Sequence, residues 1–248
     1  MANWSDPRGP ATAFTPAGLA EDSATDAGLR SYMLSVYNYM ASGVLLTGIV
    51  AMLFASGGDT SPAATVILAG GPLAWVIMLA PLAFVLILSF GINRLSTGAA
   101  QALFWGFAVV MGLSLSTIFL QYTGASIATA FFSTTVAFLG LSLFGYTTKR
   151  NLSAMGTFLI MGLFGIIGAS LLNLFIFQSS GLSLAISIIG VLVFAGLTAY
   201  DTQMIKNTYY QVRGTDFMGK AIIMGALNLY LDFINMFLML LRLFGNRD

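Results

Sequence analysis

The sequence predicts an all-α polytopic membrane protein, a seven-helix bundle with the seventh helix central. Three observations carry this. The chain is 58% hydrophobic and only 8% charged, whereas a soluble domain is near a quarter charged. Its few charges are clustered: no Asp, Glu, Lys or Arg lies between Arg94 and Lys149, or between Arg150 and Asp201. And the last apolar stretch, Lys220–Phe244, is long enough to cross a bilayer, since about 20 residues suffice, yet carries Asp232 near its middle. Asn228, Asp232 and Asn235 are spaced four and three apart and so share one helical face. An acid facing lipid at mid-depth costs roughly 2.5–3.5 kcal/mol, so this helix belongs inside, enclosed by the others. The ten-residue alternation of a membrane β-barrel is absent.

Residues 1–29 are polar and rich in Ala, Thr, Pro, Gly and Asp, without the features of a signal peptide; they read as a flexible tail, with residues 30–248 forming the membrane domain. The first span is expected over Met33–Ala55, followed by a Gly-Gly-Asp-Thr-Ser-Pro loop at 57–62. Residues 63–71 are weakly apolar and extend the next element. The second span covers Pro72–Phe90, with Pro81 inside it. The third, Ala102–Gln121, turns at Tyr122-Thr123-Gly124 into the fourth, Ala125–Tyr146. The fifth is Ala154–Phe177, where Gly162, Gly165 and Gly168 would permit close helix approach. The sixth is Leu182–Ile205, running on as far as Tyr210, and the seventh is Lys220–Phe244. The tryptophans near span ends read as interface residues.

Orientation follows from Lys and Arg in the short loops. Arg30 precedes the first span, and Arg94, Lys149, Arg150, Lys206, Arg213 and Lys220 flank the loops after spans two, four and six. The loops after spans one, three and five hold none. The amino terminus is therefore expected in the cytoplasm. Seven crossings leave Arg242 and Arg247 outside, a conflict that a re-entrant last segment would remove, although a single polar stripe fits a full span better.

Cysteine and histidine are both absent, which excludes disulfides and thiolate metal sites and leaves carboxylates as the groups able to sense pH. No basic tract points to nucleic acid. Asp201 and Asp232 lie on consecutive antiparallel helices. Pairing 201 with 232 centres the turn between 216 and 217, within the polar stretch 213–219, so the two carboxylates can meet inside the bundle, in its cytoplasmic half. Two close carboxylates in low dielectric do not both ionise readily and can share a proton. The bland reading is that each acid separately hydrogen-bonds neighbouring helices. Arg94, closing the second span, is either an interface anchor or a counter-ion for the acids. Asn228 and Asn235 could line a polar path, and Tyr200 and Tyr230, each within two residues of an aspartate, could donate hydrogen bonds along it.

Ala199-Tyr200-Asp201-Thr202-Gln203 and Leu229-Tyr230-Leu231-Asp232-Phe233-Ile234-Asn235-Met236-Phe237 resemble the two signatures of the Bax inhibitor-1 family, the transmembrane Bax inhibitor motif proteins. The resemblance runs from about Arg30 to Leu243. It implies a pH-sensitive calcium leak, with a two-aspartate sensor at Asp201 and Asp232 and a gating arginine at Arg94. It also implies links to membrane stress responses, in bacteria through a membrane-bound quality-control protease. Calcium takes six to eight oxygen ligands, so two aspartates, two asparagines and carbonyls would make a weak, partly hydrated site suited to passage.

The expected function is a passive cation leak, calcium being the permeant ion rather than a cofactor: protonating one carboxylate weakens its hold on Arg94 and lets the second span shift. The expected partners are the lipid bilayer, calcium and protons, in a bacterial inner membrane. The alternative is a stress regulator that binds a membrane protease or another membrane protein. An intramembrane aspartyl protease would place Gly-x-Gly-Asp where this chain has Leu229-Tyr230-Leu231-Asp232, so an enzyme is not expected. A proton-coupled transporter would show Gly/Pro-broken helices in two related halves, which are not seen.

Overall fold

A computed structural model of the chain describes residues 16–68 and 70–246, with side chains from Asp26 onward except at Leu68. Among them are seven helices long and apolar enough to cross a membrane: the Asp26–Phe54 part of α1 (Pro16–Phe54), then α2 (Pro72–Gly91), α3 (Thr97–Gln121), α4 (Gly124–Thr147), α5 (Ser153–Phe177), α6 (Ser180–Val212) and α7 (Met218–Phe244). The chain is a helical membrane bundle.

The helix boundaries follow local chemistry. Ser96, Thr123 and Ser179 cap α3, α4 and α6 by accepting hydrogen bonds from the amides of Ala99, Ser126 and Leu182, which satisfies donors that a helix start otherwise leaves bare. The Ser96 cap is why α3 begins at Thr97, ahead of the expected Ala102. Pro72 stands at the first position of α2, where its missing N–H costs nothing. Residues 63–71 do not lengthen α2. Ala64–Leu68 form a separate short helical turn, and Gly70, at φ 71°, breaks the path before α2 starts.

Two boundaries depart from expectation in ways that matter. Helix α1 begins at Pro16, so residues 16–29 continue the first span as helix, not as a flexible tail; residues 1–15 of that tail lie outside the described residues. Pro16 is tolerated at a helix start, and no glycine or proline pair interrupts the helix beyond it. Leu29 is buried, and Gly28 lies so close to the Tyr209 hydroxyl that a Cβ there would meet it. At the other end of the chain, α6 continues unbroken to Val212. Asp201 is therefore interior to a long helix.

α7 is the hub. It packs against α6, α1, α4 and α3, and its span is 67% buried where no other span exceeds 44%. It also crosses completely: it is one continuous helix, and beyond it Gly245 packs on Tyr122 while Asn246 hydrogen-bonds Thr123 and Ser126 at the α3–α4 turn. A re-entrant last segment is thereby excluded. Arg242 does lie at the end away from the other basic residues, and Arg247 falls outside the described residues.

The basic end is knitted by side chains. Lys206 donates to the Tyr146 carbonyl at 2.8 Å and sits over the Tyr146 ring, closing the carboxyl end of α4 where a cation is favoured. Gln203 clips the α4–α5 loop, accepting from the Leu152 amide at 2.9 Å and donating to the Arg150 carbonyl at 2.8 Å. Small residues bring helices close, but not all those expected. Gly145 abuts the Ala199 backbone and Gly156 the Tyr200 ring. Of the α5 glycines, Gly162 faces Val193, whereas Gly165 and Gly168 meet only open space. Trp105 is partly buried beside Tyr39 and Phe104, Trp75 is exposed, and Trp4 lies outside the described residues.

Candidate functional site: an acid pair in a cavity

Asp201 on α6 and Asp232 on α7 line one cavity of about 900 Å³. Its floor is the face of α7 bearing Asn228, Asp232 and Asn235, together with Tyr200 and Asp201 of α6. Its flanks are α2, through Met78, Pro81 and Val85, and α5, through Ile160 to Leu171. These two helices pack chiefly on α3 and α6 respectively, which leaves the gap between them. From the acids the cavity runs toward the end opposite the basic one, past Ser114 and Ser170 to Arg242.

Beyond the acids, nearer the basic end, the space is filled. Ile205 lies 3.2–3.3 Å from where a Gly225 Cβ would be, and Ala221, about three turns before Asp232 on the same face of α7, is buried. Asn228 and Met204 line the cavity between the acids and that layer.

The two carboxylates line the same cavity from consecutive helices. Asp232 is buried, 5% exposed, and its Oδ2 is enclosed with no hydrogen-bond partner among the described residues. Asp201 is half-buried. Among the described residues neither acid makes an ion pair. A buried carboxylate without cation or donor is costly, and a second one beside it raises that cost. A proton shared by the pair, or a cation between them, relieves it. Among the described residues neither acid hydrogen-bonds a neighbouring helix.

The other predicted residues divide. Asn228, Asn235 and Tyr200 line the cavity with the acids, and Asn235 Nδ2 donates to the Leu231 carbonyl at 2.8 Å. Tyr230 does not. Two residues advance a helix by about 200°, so Tyr230 points away from Asp232, fully buried between α1 and α3. Its hydroxyl bonds Thr47 Oγ1 at 2.7 Å, and its ring packs edge-on against Phe104 and Phe107. It is a core residue. Arg94 is exposed in the turn after α2, where its amide bonds the Gly91 carbonyl, and is not among the cavity-lining residues.

Sequence reasoning missed three features. Arg242 is the cation that lines the cavity. Pro81 lies in its wall, and its missing N–H leaves the Ile77 carbonyl without its helical donor. Beside Asp201, Thr202 Oγ1 bonds Ser142 Oγ at 2.9 Å, which bonds Tyr37 Oη at 2.5 Å, tying α6 to α4 and α1. Scattered Ser and Thr are ordinary in membrane helices, so nothing in the sequence singled out this chain of hydroxyls.

Among the described residues no group of three or more carboxylates could hold a metal ion. The donors present are two carboxylates, amides and hydroxyls. They suit a cation that keeps most of its water.

A family model described as inhibitor of apoptosis-promoting Bax1 matches residues 29–248. The chain belongs to the Bax inhibitor-1 family. It is 48% identical to the Escherichia coli inner membrane protein YbhL over 223 residues, 89% of this chain and 94% of that one. A Rickettsia prowazekii protein is likewise 48% identical over 229 residues, 92% and 94% of the two chains. A Streptococcus pyogenes membrane protein is 36% identical over 224 residues, 90% and 96%. The matched region takes in both acids and the helices around them.

Proposed function

We propose that this protein is a pH-sensitive cation leak for calcium, with Asp201 and Asp232 as sensor and part of the ion path. The observation that supports it most is the pair itself: two carboxylates lining one cavity, one of them buried with an oxygen unpartnered among the described residues. A cation entering past Ser170 and Ser114 meets Asn235, then the two acids, then Asn228. Passage onward requires the Ile205–Gly225 layer to part. Protonation of the pair changes the charge beside that layer and frees Arg94, which holds the unprotonated pair in a second arrangement of α2. Arg94 is free of the acids in the arrangement seen, and α2 borders the cavity without packing across it. On this reading the basic end is cytoplasmic, in accord with the loop charges.

Calcium efflux from proteoliposomes across a pH series tests this. Wild-type flux should rise as pH falls. Asp201→Asn and Asp232→Asn should each abolish the pH response, and Arg94→Ala should leave flux high at alkaline pH. A flux indifferent to pH and to all three substitutions would refute the gate.

A further inference from the structure

A second cavity, about 610 Å³, lies on another face of α7, between α1 and α4. Helices α1 and α4 both pack on α7 but leave a groove between them, floored by Phe233 and Phe138. We propose that this groove is a binding site for one anionic phospholipid, with an acyl chain between α1 and α4 and the phosphate on Arg30.

The lining is almost wholly apolar, and its polar groups are already satisfied where they cross it: Tyr37 Oη and Ser142 Oγ bond each other. Water gains little in such a space, and leaving it empty forfeits the contacts of every residue around it. Its volume matches ligand pockets of about 300–1,000 Å³. Along α1 it extends from Arg30 to Leu45, about 22 Å at 1.5 Å per residue, which spans one leaflet of a roughly 30 Å hydrocarbon core with its headgroup region.

Charge decides the occupant. Arg30 is the one charged residue in the lining, exposed at the groove's end, where a phosphate of an inserted lipid would sit. Next to that end, Lys206 rests on Tyr146, itself a lining residue. A second copy of the chain docked by two-fold symmetry about the membrane normal would bring Arg30 against Arg30. A lipid phosphate brings the opposite charge.

Native mass spectrometry of the full chain, released from detergent containing equal phosphatidylglycerol and phosphatidylethanolamine, tests this. Wild type should retain one phosphatidylglycerol per monomer. Arg30→Ala should lower that preference about fivefold, and Lys149→Ala, basic but outside the groove, should not. Ala41→Trp and Thr135→Trp fill the groove from its two walls and should each abolish retention, whereas Phe158→Trp, lipid-exposed elsewhere, should not. Two filling variants, each checked for helicity and monodispersity, separate a lost site from a lost fold. Retention unchanged by both fillings, or a dimer in place of the lipid adduct, would overturn the proposal.

Discussion

Asp232 lies one helical turn from both Asn228 and Asn235, while Tyr230, two residues away, looks out on the opposite side of α7. The stripe was legible because spacings of three and four fix a shared face whatever the helix packs against. Tyr230 was misplaced because nearness in sequence is not nearness around a helix. Its partner Thr47 comes from α1, so no local signal could announce the pair. Thr47→Val leaves the Tyr230 hydroxyl buried and unpaired and should cost about 1–3 kcal/mol. The Thr47→Val, Tyr230→Phe double variant should lose less than the sum of the singles, as a thermal-unfolding double-mutant cycle would report. Arg242 lines the cavity's far end, where in the proposed leak it faces entering cations. Arg242→Gln removes that repulsion and should raise calcium flux severalfold at low salt, with a smaller gain at about 0.5 M salt, where exposed charges are screened.

At the scale of elements, the seven spans were legible from uninterrupted apolar runs, and the structure keeps their order and approximate limits. Their ends were shifted by contacts the runs do not encode. α1 reaches back to Pro16 and seats Leu29 and Gly28 beside Tyr209; α6 runs on to Val212 because Gln203 and Lys206 anchor it to the α4 end and the loop beyond. Gln203→Ala removes both hydrogen bonds that hold 150–152, so amide exchange in the α4–α5 loop should quicken while the α6 core stays protected. The layer of Ile205 against Gly225 closes the cavity toward the basic end. Ile205→Ala should thin it, costing about 2–5 kcal/mol of stability and raising flux at every pH tested. An unchanged flux in a folded Ile205→Ala protein would place the closure elsewhere.

Over the whole molecule, two cavities flank a central helix. One carries the acids and opens toward the end away from the basic residues. The other is greasy, with a single arginine at its basic end. The acid pair was foreseeable because consecutive antiparallel helices bring matched depths together, and the described structure brings 201 and 232 into one cavity. The cavity itself was not, since it arises where α2 and α5 fail to meet, and a gap between helices distant in sequence leaves no trace in either one. Nor did the sequence show that Arg94 stands apart from the acids, exposed in the turn after α2. The central claim is that the shared charge state of Asp201 and Asp232 sets the conductance. Its most direct measurement is calcium flux through oriented proteoliposomes, titrated from alkaline to acid pH, in wild type and Asp232→Asn. The account predicts a wild-type flux that climbs as pH falls and an Asp232→Asn flux that is flat; identical pH curves for the two proteins would contradict it.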